Sequence, residues 1–341
     1  MISTENMSDG IAVYYDYVKA RNRAMKSRFR MVGNKLVQND NYAIDDQILS
    51  KYLFTNNYRE LDAGTVYFIN DVLSLAGDDK YGIVFSSLAY RIFNLPYTYS
   101  MMRLVTGDRI LNPDNFLRNF DKIGDALRTA EENLFSRAYI ISARYGPKWW
   151  FNMRQRLAPV ARYKEKWLLP IIEAKDARTA FARIYELPYI RGGGFLAYEI
   201  YSDIIYSGIW DWGENAYVNV GPGAEKGIND IFSIGFPEIN KDVLKKYLDN
   251  IYLYALDFIQ IAQDKYLSSE DLFLGRKLSK RNIEHTLCEF HKYVRMKKDL
   301  DAKVTRHGER LFKPKTKEID LTGIINLYDR WRKKFPDEFI E

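Results

Sequence analysis

Leu187-Pro188-Tyr189-Ile190-Arg191-Gly192-Gly193-Gly194-Phe195-Leu196-Ala197-Tyr198 is the stretch on which the reading of this chain turns. Before it, Ala177–Tyr185 carries apolar residues at helical spacing. After it, Phe195–Tyr206 does the same. Pro188 stops the first helix, because the residue before a proline is pushed out of the α region. The three glycines then allow a tight return. A helix, a Pro/Gly hairpin and a second helix with a small residue, Ala197, at its packing face form a helix-hairpin-helix layout. In that layout the free N–H groups at the start of the second helix hold a DNA phosphate. Arg191, Gly192, Gly193 and Gly194 are therefore candidate phosphate contacts. An ordinary helix C-cap and turn uses the same residues.

Outward from the hairpin, a period near 3.6 dominates. Helical patterns cover Ile11 to Arg30, a short segment after a cap at Asp45, and roughly 60–76, 81–94, 97–105, 113–142, 149–157, 176–186, 195–207, 224–235, 241–265 and 321–335. Alternating patterns are scarce, and Val304–Phe312, with a turn at His307-Gly308, is the best strand candidate. The spacing thus predicts a mostly α chain. Its helix-hairpin-helix region, 146–341, follows a helical region at 1–145 and ends in a basic segment, the two regions being free to pack as one unit.

Composition bounds the function. With 341 residues, 47% hydrophobic and 15% aromatic, the chain has ample apolar area to offset its conformational entropy, which excludes a disordered class. No apolar run approaches the ~20 residues that a membrane helix needs, and the start lacks a secretory pattern. One cysteine, Cys288, forbids an internal disulfide and a multi-cysteine zinc site, and three histidines, His285, His291 and His307, leave little for a histidine metal centre. No metal held by the protein alone is expected.

The net charge of +6 is unevenly spread. Lys19 to Lys35 holds seven Lys/Arg and no acid, and Arg276 to Lys317 holds 14 basic against 5 acidic residues. Basic stretches interleaved with Phe and Tyr suit a polyanion, because Lys and Arg release condensed counterions from phosphates. Two solvated helix faces are the plainer alternative.

A second glycine-rich stretch, Val220-Gly221-Pro222-Gly223-Ala224-Glu225-Lys226-Gly227, opens a helix and resembles a short anion-binding nest. It is not a nucleotide-binding P-loop, which needs Ser or Thr after the lysine.

Five blocks taken in order resemble a known family: Phe54-Thr55-Asn56-Asn57-Tyr58-Arg59-Glu60-Leu61-Asp62; Tyr90-Arg91-Ile92-Phe93-Asn94; Phe195-Leu196-Ala197-Tyr198-Glu199-Ile200 with Asp203; Gly221–Gly227; and Glu284-His285-Thr286-Leu287-Cys288-Glu289-Phe290-His291-Lys292-Tyr293. The chain is similar to the alpha-glutamyl/putrescinyl thymine pyrophosphorylases of phage thymine hypermodification, themselves similar to the helical domain of 5-hydroxymethyluracil DNA kinases. The resemblance implies an all-α helix-hairpin-helix scaffold like that of DNA glycosylases. It also implies a transferase that displaces pyrophosphate from 5-(pyrophosphoryloxymethyl)uracil in double-stranded phage DNA with an amine, an amino acid or polyamine, after a DNA kinase has acted. The setting it implies is the cytoplasm of an infected bacterium, with no membrane partner. A glycosylase acting on modified thymine, and a non-catalytic DNA-binding subunit of such a kinase, are the alternatives. The region where a glycosylase has its catalytic aspartate reads Tyr217-Val218-Asn219-Val220 here, leaving Asp203 and Asp211 as substitutes.

For that chemistry the candidate catalytic residues are Cys288, His285 and Glu289. A thiolate adding to carbon 6 of the ring would expel pyrophosphate and expose a reactive methylene, dividing one hard step into easier ones. Free cysteine is also a common small packing residue. His285 and Glu289 are alternative bases for the amine. Arg59, Asp62, Arg91, Asn94, Gly221, Gly223 and Lys226 are candidates for the substrate and its pyrophosphate, with Lys292 and Arg295 for DNA. The arginines have a second reading as structural salt bridges. A magnesium ion bridging pyrophosphate oxygens through Asp62 or Asp203 is compatible with this chemistry, although no ligand cluster demands one. Trp149-Trp150, Trp210 and Trp212 are candidate platforms for an extruded base.

Overall fold

The computed structural model describes residues 7–136, 146–192, 194–235, 241–301, 311–312 and 318–340. The chain is mostly helical, with one small sheet among the described residues. In chain order the longer elements are α1 (Met7–Arg28), β1 (Phe29–Val32), β2 (Lys35–Gln38), α2 (Lys80–Phe93), α3 (Pro96–Thr106), α4 (Phe120–Thr129), α5 (Ala177–Tyr185), α6 (Phe195–Ser207), α7 (Pro222–Gly235), α8 (Lys241–Tyr266), α9 (Lys280–Asp301), β3 (Glu318–Asp320) and α10 (Thr322–Lys334). The sheet runs β1-β2-β3, antiparallel throughout, with Leu36 opposite Met31 on one side and Ile319 on the other.

Contacts gather the chain into two compact units, Met1–Asp62 with Val220–Glu341, and Ala63–Asn219. The 145/146 boundary read from the sequence falls inside the second unit. The reason is packing across Gly146-Pro147: Asn152, in the helical turns that follow, donates from its side chain to the Ile92 carbonyl of α2 at 3.1 Å.

In the first unit, α1 presents Ile11, Tyr14, Tyr15, Tyr17 and Val18 to the core. Tyr14 meets Phe290 of α9 edge-on at 5.5 Å, and Tyr17 meets Tyr293 at 5.0 Å. Helix α7 packs on both α1 and α9 through glycines. A Cβ on Gly10 would stand 2.0 Å from the Ile231 carbonyl oxygen, and one on Gly227 would stand 2.2 Å from that of Leu287. A fully buried Arg276 pairs with Glu60, which also accepts a hydrogen bond from Tyr328 at 2.6 Å.

In the second unit α2 is the central rod. Asp79 caps it by accepting from the Gly82 N–H, Asn94 ends it in the left-handed region (φ 51°), and every residue from Gly82 to Phe93 is buried. A helix apolar on all sides belongs inside.

Local chemistry explains where the elements depart from periodicity. Helix α1 stops at Arg28, and the chain turns into a hairpin at Gly33-Asn34, with Gly33 at φ +56°. Asp46, not Asp45, caps the next helical turn by accepting from Ile48 and Leu49 N–H groups at 2.9 and 2.8 Å. The continuous helix expected over 60–76 is broken into short 3₁₀, α and π turns. The strand candidate at 304–312 lies, apart from Leu311 and Phe312, outside the described residues. Leu311 itself pairs with Tyr52.

Candidate functional site

Three of the five blocks meet on one face of α9. Residues 281, 284–285, 288–289 and 292 recur at three- and four-residue intervals, so they share a helix face. Against it lies the Phe54–Asp62 segment, a non-repetitive stretch pinned by side chains. The buried Arg21 guanidinium holds it by donating to the carbonyls of Thr55 and Phe54, both at 2.9 Å. Asn56 donates its backbone N–H to Asp62 at 3.3 Å, and Arg59 closes an ion pair with the same carboxylate. Thr55 then faces the helix. Its hydroxyl shares a 2.6 Å hydrogen bond with His285 Nε2, and its N–H donates to Glu289 at 3.2 Å. Thr55 is not among the candidates read from the sequence, although it sits inside a quoted block. Only the fold reveals that it orients both candidate bases.

The Gly221–Gly227 stretch reaches the same face from α7. The Gly221 N–H donates to Glu284 Oε1 at 3.2 Å, and Arg281 pairs with the other Glu284 oxygen at 3.1 Å. The anion at the start of α7 is thus a carboxylate of the protein itself. Gly223 and Gly227 serve close packing: a Cβ on Gly223 would stand 2.3 Å from Cys288 Sγ. Lys226 is exposed and makes no ion pair to a described residue.

Cys288 has solvent-exposed surface, yet its sulfur rests against the Gly223 backbone. That burial of the sulfur, with Glu289 and Glu284 nearby, pushes the thiol from 9.0 up to about 11, against the pull of Lys292 and Lys226. At neutral pH roughly one molecule in ten thousand would hold the thiolate. Lys292 donates to the Leu53 carbonyl, lies 4.3 Å from the centre of the Phe54 ring and stands 3.8 Å from Glu289. His291 donates to Asp230 at 2.7 Å.

The other two blocks meet in the second unit. Arg91 of α2 grips Asp203 of α6 with two N–H groups, one at 2.6 Å, and stands 3.3 Å from Glu199 one turn earlier. Thr65 and Asn94 accept from the same guanidinium at 3.2 and 3.4 Å. Arg91, Glu199 and Asp203 are 2%, 2% and 0% exposed. Asp203 is therefore a buried counter-ion, held away from solvent. Asp62, by contrast, would offer a magnesium ion only oxygens already engaged by Arg59 and Asn56. Among the described residues no group of three or more His, Cys, Asp or Glu stands close enough to hold a metal.

The hairpin joins α5 to α6 as a helix, turn and helix. Tyr189 and Gly194 take positive φ, 57° and 77°, and the turn is anchored by Arg156, which donates to the Tyr189 carbonyl at 3.1 Å. A Cβ on Gly194 would strike the Asn219 side chain at 2.7 Å. Arg191 and Gly192 are exposed, and Gly193 lies outside the described residues. Trp210 is buried, stacked on Trp212 at 5.1 Å, and donates to the Ile171 carbonyl. These contacts make it a packing residue. The basic stretches are partly internal too: Arg21, Arg28, Arg276 and Arg281 are buried. Arg23, Arg30, Lys297 and Lys298 are exposed, while Arg295 is half-buried.

A chain of helices carrying these blocks has relatives among phage DNA-modifying enzymes. Residues 11–301 match the family model described as the helical domain of 5-hmdU DNA kinase, and the chain belongs to that family. The 5-hmdU DNA kinase of Bacillus phage SP10 is similar, at 26% identity over 270 residues, 73% of this chain and 40% of that protein. The chain thus matches less than half the length of this curated relative. No solved structure matches it. No helix among the described residues is long and apolar enough to cross a membrane.

Proposed function

We propose that this chain modifies thymine bases in phage DNA, as a transferase that replaces the pyrophosphate of 5-(pyrophosphoryloxymethyl)uracil with an amine. The observation that carries the reading is the meeting of Thr55 with His285 and Glu289, and of Lys226-bearing α7 with the same helix, on a partly solvent-reachable face in a family that includes 5-hmdU DNA kinases. The resemblance to alpha-glutamyl/putrescinyl thymine pyrophosphorylases supplies the reaction class. A helix-hairpin-helix scaffold like that of DNA glycosylases, with Arg191 and the glycine turn on a phosphate, supplies the mode of DNA binding.

The residues divide the work as follows. Glu289 or His285 takes a proton from the attacking amine. The amine nitrogen bonds to the exocyclic methylene as the carbon–oxygen bond to pyrophosphate breaks. Pyrophosphate leaves with the electron pair, and Lys226 and Arg59 stabilise the charge it gathers. The raised pKa of Cys288 favours this direct displacement over thiolate addition to carbon 6. Asp203, held by Arg91 away from solvent, argues against a glycosylase with that residue as base.

The test is mass spectrometry of nucleosides from kinase-treated, hydroxymethyluracil-containing DNA incubated with the protein and a mixture of amino acids and polyamines. An amine-substituted thymidine is expected, and it should persist in Cys288→Ser. Abasic sites in place of that product would mean a glycosylase. Intact, unmodified DNA would mean a binding subunit. Loss of all turnover in a folded Cys288→Ser variant would restore the covalent route.

A further inference from the structure

A cleft of about 760 Å³ opens in the second unit, lined by none of the residues of the two clusters described above. Its wall includes three aromatic rings, Phe120, Trp150 and Tyr163, and two guanidinium groups, Arg154 and Arg162. Among the described residues no carboxylate lines it. Arg154 and Arg162 are exposed and form no ion pair or hydrogen bond to a described residue. Arg154 lies 5.9 Å from the centre of the Trp150 ring. That ring is itself fixed, by Phe120 at 5.7 Å and Trp149 at 5.6 Å. Tyr163 remains 57% exposed.

The local backbone is shaped for an opening. Arg154 and Gln155 lie on a π turn, Asn152–Leu157, directly before Ala158–Arg162, a helical turn with a proline near its start. Pro159 cannot donate the N–H that a regular helix would pass back, and a widened turn absorbs the loss. Such turns recur at ligand sites because they displace side chains from the regular helical positions.

Two arginines without acidic partners, flanking aromatic rings, match one ligand chemistry. Guanidinium groups favour phosphate through paired N–H donors. Rings offer a stacking face to a planar base. The volume lies within the range of small-molecule sites. We propose that this cleft binds a phosphorylated nucleoside, with the base against Trp150 or Tyr163 and the phosphate on Arg154 and Arg162. The source is either a free nucleotide or one nucleotide of a DNA strand. Of the lining residues only Trp150 was among the sequence candidates, as a platform for an extruded base, and the amine-transfer chemistry on α9 uses none of them, so the inference stands or falls separately.

Equilibrium binding to the full chain with dTMP, thymidine and a ten-residue oligothymidylate tests it, alongside photo-crosslinking with 5-iodo-dUMP and a 5-iodouracil oligonucleotide followed by peptide mass spectrometry. Saturable binding of dTMP or the oligonucleotide is expected, with thymidine at least tenfold weaker than dTMP. Crosslinks should fall on the peptides holding Trp150 or Tyr163. Binding by dTMP assigns a free nucleotide, and binding by the oligonucleotide alone assigns the strand. Arg154→Gln/Arg162→Gln, both exposed positions with circular dichroism as the folding check, should lose crosslinking at those peptides at least tenfold. Crosslinks found only elsewhere, crosslinking unchanged in the folded variant, or no saturable binding by either phosphate-bearing probe would overturn the proposal.

Discussion

Arg91, in the second unit, and Arg59, in the first, each hold an aspartate, but their surroundings separate them. Arg91 is enclosed with Glu199 and Asp203, and every group around it is a partner within the fold. Arg59 is itself only 8% exposed and Asp62 half-buried, but the segment they close carries Thr55 to His285, and Thr55, His285, Glu289 and Lys226 are at least partly reached by solvent. An ion pair sealed from water fixes how two helices meet, and removing one member leaves an uncompensated charge. A polar face open to solvent can exchange protein contacts for substrate contacts. The first arrangement belongs to architecture, and the second is the one we propose for chemistry.

The largest effect should come from the sealed cluster. Arg91→Ala leaves two buried carboxylates facing each other, and we expect a loss of about 3–5 kcal/mol in urea unfolding. A loss below about 1 kcal/mol would erase the contrast. On the open face, His285→Ala should cost roughly 10²–10³ in turnover, read by nucleoside mass spectrometry, while stability shifts by less than about 1 kcal/mol. A matching loss of stability would make His285 a structural residue like Arg91.

Alkylation sharpens the position of Cys288. Its thiol, raised to about 11, should react with iodoacetamide at neutral pH roughly 100-fold more slowly than an ordinary cysteine, and faster by about tenfold per pH unit up to that value. The sign for stability follows from linkage. Folding favours the protonated thiol, so this contribution is complete below about pH 9 and is lost as the pH rises toward 11. Gly227→Ala should cost about 1–3 kcal/mol in urea unfolding, because a methyl there meets the Leu287 backbone, which has little room to shift.

The helices were legible because burial writes a period into the chain, as in α1 and α2. The hairpin at Gly33-Asn34 was missed because its two strands are only four residues each and largely exposed, so they carry almost no alternation. The short turns over 59–75 were missed for a different reason: their apolar residues fit a helix, but tertiary contacts such as Arg59 N–H to Asn282 at 2.8 Å interrupt it. In the site, the α9 residues were named through the family resemblance, and their helical spacing then put His285 and Cys288 on one face. The role of Gly223 was not legible, since a glycine that opens a helix looks the same whether an anion or a cysteine 65 positions later will occupy its empty side. The second basic stretch misled in the same way, because nothing local to Arg276 announces Glu60.

The discontinuity of the first unit sets a schedule for its birth. A ribosome delivers α1 before α7 and α9, which cover its tyrosines and glycine and emerge only after the entire Ala63–Asn219 segment. At ~5–20 residues per second that interval lasts on the order of ten seconds or more. The second unit, continuous in the chain, can complete its core meanwhile. Until then α1 has its aromatic side uncovered, and the face that carries His285 and Glu289 comes into being only when the two separated segments of the first unit meet.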